Sequence, residues 1–402
     1  MTVGIIVGDV HLGKGVNIGK PGIGNALNSR VLDQVKLLDW IVDQCLSVDA
    51  ELIILTGDIW EDVKPHYALV DLFFKFLKRC KVNNIEVHVI AGNHDIKRSG
   101  ANYSSPLDLI ETADFDNVFV YKNINTIHRD GVSFTMMPFR DRRSLDKDKN
   151  VDALSFLYKQ LIYESSSIPI NNDKVLIGHL AIEGSLFVGD EIDSHANELM
   201  CPVNMFKDYD YVWMGHVHRP QVRSREPYVA HIGSMDLSDF GETNHKKILI
   251  HFDTENDSKF NEIEVPSRPL RKLSLQVLEG FDPTEFVLDK INEINKVNSF
   301  KNSIVKIELH LLDPSSKNVD RKKIENCLIE LGVYYICSFS ESKNILVVPL
   351  EKQTVKDNSI DPRTAIKLYA NDQLKLSSKK EKSKFISISN EIVDQYLASI
   401  TR

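Results

Sequence analysis

Five short stretches of this sequence set cation-binding residue types at the end of an apolar run. They are Asp9-Val10-His11, Gly57-Asp58, Gly92-Asn93-His94-Asp95, Gly178-His179 and Gly215-His216-Val217-His218. Carboxylate, amide and imidazole together make a mixed oxygen and nitrogen donor set that suits manganese, iron or zinc. Asp9, His11, Asp58, Asn93, His179, His216 and His218 divide into two four-coordinate groups if one carboxylate is shared. Two divalent cations about 3.5–4 Å apart clamp a phosphate and orient the attack for in-line displacement. These residues therefore point to metal-assisted hydrolysis of a phosphoester.

Taken singly, each stretch has a plain structural explanation. Asp-x-His is more often a surface loop than a ligand pair. Gly-Asn-His-Asp fits a turn with a helix cap, and His216 and His218 fit one strand with one ring buried and one exposed. His128, His195, His231, His245 and His251 lack comparable surroundings and read as structural or solvated, although His231 also ends an apolar run. Residues 8–14 nearly match a phosphate-binding P-loop, but Gly15 stands where Ser or Thr should follow Lys14. Residues 13–25 read instead as a flexible loop beside the cation-binding residues. No Gly-x-Ser-x-Gly elbow suggests serine hydrolysis.

The runs that carry these residues are Val3–Val7, Leu52–Leu55, Val87–Ala91, Val175–Ile177 and Tyr211–Met214. Continuous apolar runs of this length suit strands buried on both faces, with glycine letting the backbone turn sharply at the end. Asn28 or Ser29 caps a helix expected from Arg30 to about Ser47, with Val31, Val35, Leu38, Val42 and Cys45 on one face. A second is expected from about Tyr67 to Cys80. Strands alternating with such helices imply right-handed βαβ crossovers, whose ligand sites lie beyond the carboxyl ends of the strands. After His94 the alternation loosens, and Val118–Tyr121 and Val132–Met137 suggest a second sheet. The expected fold class is α/β, with two packed sheets, helices outside them and the site at one edge, over residues 1–265.

Around Pro266–Pro269 the character changes. Residues 268–350 read as a small α+β domain: strand Leu273–Leu278, helix Pro283–Lys296, strand Ile304–Leu312, helix Asp320–Leu331, then strands Tyr334–Phe339 and Asn344–Pro349. Residues 351–402 are a polar linker and a terminal helix. Arg363–Lys384 holds seven basic residues against two acidic, and Ser389–Ile400 places Ile392, Val393, Tyr396 and Ile400 on one stripe. Such a stripe needs burial against its own domain or in a groove on another chain.

The 402 residues suffice for one large core and a smaller appended domain. With 42% hydrophobic and 26% charged residues, the composition is that of a globular protein. No apolar run approaches the roughly 18 residues of a membrane helix, and the start reads as a strand rather than a signal peptide. Five scattered cysteines without a C-x-x-C spacing suggest reduced thiols in a cytoplasmic setting. A net charge of −8 is unlike a protein that grips duplex DNA unaided, so any grip on DNA needs a partner's help.

In order and spacing, the five stretches resemble the calcineurin-like metallophosphoesterase superfamily over residues 1 to about 240. The appended α+β domain, the tail with its terminal helix and Met137-Pro138-Phe139-Arg140 resemble, more narrowly, the SbcD-type nuclease subunits and their phage counterparts. The resemblance implies a two-sheet αββα sandwich with a capping domain at 268–350 and a C-terminal helical tail. It puts Asp9, His11, Asp58 and His218 on one metal, and Asp58 (bridging), Asn93, His179 and His216 on the other. It makes His94 the general acid and Asp95 the residue that orients it. It further implies Mn2+, with Mg2+ as the alternative, and 3′–5′ exonuclease with single-strand endonuclease activity on DNA, in repair and recombination. The implied partners are a second copy of the chain and an SbcC-like coiled-coil ATPase that receives the terminal helix, in a bacterial or phage-infected cytoplasm. A phosphatase of the same superfamily acting on another phosphoester is the alternative; a non-catalytic scaffold would not need all these residues. One departure stands out: some members carry a second active-site histidine three residues after the bridging aspartate, where this chain has Glu61.

Overall fold

The computed structural model describes residues 1–24, 26–99, 102–141, 152–188, 199–256, 259–313, 317–343, 366 and 379–400. Met1–Asn344 is one compact unit and Ile345–Arg402 another.

The site rests on two six-stranded mixed sheets. In the first, the order across the sheet is Phe260–Glu264, Ile248–Asp253, Val3–Val7, Leu52–Leu55, Glu86–Ile90 and Val118–Tyr121. The last four run parallel and the first two are added antiparallel. In the second, the order is Gln221–Arg225, Tyr228–His231, Tyr211–Gly215, Asp173–His179, Val132–Met137 and Asn125–Arg129. Its four inner strands are parallel and its edges antiparallel.

Apolar residues on both faces of the strands make this a layered fold. Ile5 and Val7 face outward to a core shared with Leu37, Ile41, Phe73 and Leu77 of the helices Ser29–Ser47 and Tyr67–Val82. Their neighbour Ile6 faces the other way, joining Ile54, Ile90, Phe134, Val175, Ile177 and Trp213 between the sheets. Behind the second sheet, Leu157 and Leu161 of the helix Ala153–Ser167 pack on Leu176, Met214 and Val229. Helix, sheet, sheet and helix thus stack around buried strands, as expected.

Several boundaries differ from the sequence reading. Val118–Tyr121 extends the first sheet, parallel to Glu86–Ile90, rather than starting the second. The chain changes sheet only after Tyr121, at Asn125–Arg129, which pairs with Val132–Met137. Residues 13–19 are tied down rather than free: Gly13 N donates to Gln34 Oε1 at 2.9 Å, and Asn28 Nδ2 donates to Val16 O at 3.0 Å. Asn28 also caps the first helix, accepting from Arg30 N.

In the appended part, Leu270–Val277, Ile304–Leu311 and Tyr335–Lys343 form a parallel three-stranded sheet. Helices Pro283–Val297 and Arg321–Glu330 supply its crossovers, and it has a core of its own around Val287, Ile291, Phe300, Ile307 and Leu328. The last strand runs on through Lys343, because Ser340, Glu341 and Ser342 keep register with Glu308, Leu309 and His310. The strand expected at 344–349 lies outside the described residues. Lys379–Ile400 is one helix, starting ten residues before Ser389. Residues 379–388 contain four lysines and Glu381, good helix formers, with no glycine or proline to halt the helix. The side chains of Ile392, Tyr396 and Ile400 lie outside the described residues, as does most of the basic run before them. No helix among the described residues is long and apolar enough to cross a membrane.

A candidate metal centre

The candidate cation-binding residues gather at the carboxyl ends of strands from both sheets. Asp9 and His11 follow Val3–Val7, Asp58 follows Leu52–Leu55, and Asn93 follows Glu86–Ile90 in the first sheet. His179 ends Asp173–His179, and His216 and His218 follow Tyr211–Gly215 in the second. Asp9, His11, Asp58, His179, His216 and His218 are all buried.

Glycines precede these residues for more than one reason. Gly57, at φ 124°, does take a conformation that favours glycine. Gly92 and Gly215 are needed for close approach: a Cβ would lie 2.1 Å from Asp58 Oδ1 and 2.3 Å from Asp9 Oδ1, respectively. The sharp turns fall on the candidate ligands themselves, with φ 44° at His11, 47° at Asp58 and 81° at His216. Left-handed backbone at non-glycine residues costs about 1–3 kcal/mol each and collects at functional sites.

The side chains converge in two groups. On one side His11 Nε2 and His218 Nε2 are 2.9 Å apart, with His11 Nε2 3.5 Å from Asp58 Oδ2. Asp9, His11 and His218 offer ligand atoms all within 4.8 Å of one another, as do Asp58, His179 and His216, and also His11, Asp58 and His94. On the second side, Asn93 Oδ1 is 2.9 Å from both His179 Nε2 and His216 Nδ1, and His179 Nε2 is 3.2 Å from Asp58 Oδ2. Asp58 therefore reaches both groups.

Such a set fits divalent cations on the chemistry of its donors. Imidazole nitrogens that face each other at 2.9 Å across buried carboxylates gain little from one another and much from a cation between them. Without cations, the site leans on a proton. Burial depresses the His179 imidazole, yet Asp58 and Asp9 outweigh burial and hold it up at about 10. Burial likewise pushes the Asp58 carboxyl up, but the imidazoles of His179, His11 and His94 bring it well below the carboxylate range. His218 moves the other way, to about 4, because burial dominates despite Glu242 beside it.

His94 sits at the rim. Its main-chain N–H donates to Asp58 Oδ1 at 2.8 Å, and its Nδ1 lies 2.6 Å from Glu61 O. A carbonyl only accepts, so Nδ1 carries the proton. Burial lowers the pKa of this ring, but Asp58 and the Glu61 carbonyl overcome it and leave it raised. The partner that orients His94 is thus Glu61 O, not Asp95. Asp95 Oδ1 accepts from Ile59 N at 3.0 Å and Oδ2 from Gly92 N at 2.9 Å. It braces the two loops that carry Asp58 and Asn93.

Sequence reasoning missed three contributors. Glu61, noted only as a departure, places Oε2 2.9 Å from His11 Nδ1. Glu242 places Oε1 3.5 Å from His218 Nδ1. Its Asp-x-x-Glu spacing with Asp239 is a capping box, legible as a helix start and nothing more. Lys247 is buried, donating to His218 O at 2.9 Å and Ser234 Oγ at 2.7 Å; no pattern marks it. His231 is structural as expected: it is buried, with Nδ1 3.1 Å from Gly215 O and Nε2 3.0 Å from Ser185 Oγ.

Residues 5–220 match the calcineurin-like phosphoesterase family, and the chain belongs to it. The chain is also similar to the SbcD subunit of the SbcCD nuclease from Staphylococcus epidermidis, at 29% identity over 358 residues, which are 82% of this chain and 87% of that protein. Among solved structures, a dimetal phosphatase from Danio rerio aligns at 12% identity and a TM-score of 0.37, over 66% of this chain and 98% of that one. Protein TT1561 of Thermus thermophilus aligns at 11% identity and the same TM-score of 0.37, over 66% of this chain and 99% of that one. Likeness at that level positions no residue.

Proposed function

We propose that this chain is a two-metal DNA nuclease, a 3′–5′ exonuclease with endonuclease activity on single strands, acting in DNA end processing, repair and recombination. One observation carries the reading: five stretches spread over residues 9–218 bring Asp9, His11, Asp58, Asn93, His179, His216 and His218 together. The similarity to a nuclease subunit over 82% of the chain supports DNA as the substrate.

Asp9, His11, Asp58 and His218 would hold one Mn2+; Asp58, Asn93, His179 and His216 would hold the other, with Mg2+ as the alternative. When bound, the two cations supply the Lewis acidity that polarises a phosphodiester and activates water for in-line attack. His94 donates a proton from Nε2 to the leaving oxygen. Its Nδ1 is committed to Glu61 O, and, against burial, Asp58 beside it raises the ring's pKa, which favours the protonated form. Asp95 holds the Asp58 and Asn93 loops in register.

The α+β part from residue 268 shapes DNA entry as a capping domain. Residues 351–402 form a linker and a helix that binds an SbcC-like coiled-coil ATPase, which also offsets the net charge of −8 by sharing the grip on DNA. The working assembly contains two copies of this chain and acts in the cytoplasm of a bacterial or phage-infected cell. The same net charge favours the second reading, a phosphatase of this family acting on another phosphoester.

The test is manganese-dependent digestion of end-labelled duplex DNA beside a small chromogenic phosphodiester, with Asp58→Asn as the blank. DNA shortened from its 3′ ends, and untouched in the blank, is the expected result. Hydrolysis of the small ester with DNA intact, even after an SbcC-like ATPase is added, would overturn the nuclease reading in favour of the phosphatase.

A further inference from the structure

Two glutamates stand just outside the seven residues, each behind a histidine of the same group. Glu61 Oε2 is 2.9 Å from His11 Nδ1, and Glu242 Oε1 is 3.5 Å from His218 Nδ1. The far nitrogens of those two rings meet, Nε2 to Nε2, at 2.9 Å. The Glu61 approach lies off hydrogen-bond alignment, so it acts through charge. A carboxylate beside Nδ1 favours the tautomer with its proton there, which leaves the lone pair of each Nε2 facing a common point.

The glutamates are themselves held. Lys14 Nζ is 3.2 Å from Glu61 Oε1, and the buried Lys247 Nζ is 3.3 Å from Glu242 Oε1. Glu242 Oε2 also accepts from Ser238 N at 2.7 Å. The second group is backed differently. His179 Nδ1 faces the neutral carbonyl of Thr56 at 2.9 Å, with Asp9 Oδ1 farther off at 3.5 Å, and His216 turns Nδ1 inward to Asn93 Oδ1. The first group draws on Asp9 and Asp58 with two more carboxylates one imidazole away. The second draws on Asp58 and neutral donors, with Asp9, already placed in the first group, as the one carboxylate behind an imidazole.

We infer that Glu61 and Glu242 are positioning residues that fix the tautomers of His11 and His218, and so make their cation position the tighter of the two and the first to fill. This rests on the two-metal reading above. An ionised carboxylate behind a ligating imidazole raises its basicity, and loss of such a partner typically weakens metal binding about 10–100-fold.

The test is Mn2+ titration of the full chain followed by electron paramagnetic resonance of the free ion, for the unaltered protein, Glu61→Ala, Glu61→Gln and Glu242→Gln. The Glu61 side chain is 35% exposed, so its variants keep the fold, which a melting curve checks. The expected pattern is two separated binding steps in the unaltered protein. Glu61→Ala should weaken the tight step about 10–100-fold and leave the loose one unchanged. Glu61→Gln, which keeps an acceptor but not the charge, should lose less. Two indistinguishable steps, an unchanged tight step in Glu61→Ala, or equal weakening of both steps would each overturn the inference while leaving the two-metal reading standing. An unaltered protein that takes up no Mn2+ would overturn both.

Discussion

Arg268 holds Asp33 with both arms of its guanidinium, Nε to Oδ2 and Nη2 to Oδ1, each at 2.7 Å. Asp33 lies on the first helix of the phosphoesterase body, and Arg268 lies just before the first strand of the α+β part. The same guanidinium sits 3.8 Å over the Tyr334 ring and donates to Asn302 O at 3.1 Å. Behind the pair, the fully buried Arg30 donates to Asp33 Oδ2 at 2.9 Å and to Asp236 Oδ2 at 2.5 Å. One buried network thus joins the body to the appended sheet. Arg268→Ala leaves a buried carboxylate short of a partner and should cost about 3 kcal/mol. Arg268→Lys should recover little of this, because an ammonium matches neither the bidentate contact nor the stacking. Urea unfolding measures both, and a loss below about 1 kcal/mol in Arg268→Ala would mean the pair behaves as an exposed one.

Gly92 allows no side chain. A Cβ there would lie 2.1 Å from Asp58 Oδ1 and 2.4 Å from Asp58 N, so Gly92→Ala must displace the aspartate that reaches both groups. The expected outcome is loss of at least one bound Mn2+, read by isothermal titration calorimetry. Gly131→Ala is the control: φ is 77° but nothing lies within 4 Å, so only the backbone penalty of about 1–2 kcal/mol remains, with metal binding intact. Unchanged metal binding in Gly92→Ala would mean that Asp58 does not bridge.

His94→Ala removes the ring but keeps the main-chain N–H that donates to Asp58 Oδ1 at 2.8 Å. Metal content should therefore persist while phosphodiester cleavage falls by about 10²–10⁴-fold. Metal analysis beside a rate measurement separates the two effects. If metal and rate fall together, His94 is a ligand and its role as general acid is wrong.

Away from the site, His88 makes stability depend on pH. Burial pushes its imidazole down to about 4 against an ordinary 6.5, despite Glu86 beside it. The unfolded chain then binds the proton more readily, so the neutral ring favours the folded state above pH 6.5, and that advantage is lost as pH falls toward 4. At pH 5 the loss should reach about 2 kcal/mol. His88→Phe should remove this share of the acid sensitivity, because Phe has no proton to take up. Melting curves at pH 5 and pH 7 decide it, and an equal drop in variant and parent would assign the sensitivity elsewhere.

Much of this fold was legible because it is written in contiguous runs. Strands buried on both faces appear as unbroken apolar stretches, and the residue just after each run lands at the carboxyl end of its strand. That is why the seven candidate ligands that converge in the fold could be named from the sequence. The sheet assignment of Val118–Tyr121 was not legible, since an apolar run does not say which neighbour it will pair with. Glu61 and Glu242 escaped for a related reason. Their contacts to His11 and His218 span 50 and 24 residues, and no local periodicity encodes such a pairing. Asp95 was misjudged because adjacency to His94 in sequence suggested contact, whereas its carboxylate turns back to main-chain N–H groups.

The pairing of Val3–Val7 with Ile248–Asp253 bears on how this protein is made. Val3–Val7 leaves the ribosome before the other strands of its sheet yet lies inside that sheet, and one of its two neighbours is encoded some 245 residues later. At about 5–20 residues per second, that edge waits roughly 10–50 seconds for its partner during translation. Over most of that interval Asp9 and His11 are already outside the ribosome without His216 and His218. The newborn chain thus spends that time with an unpaired apolar strand edge open to mispairing.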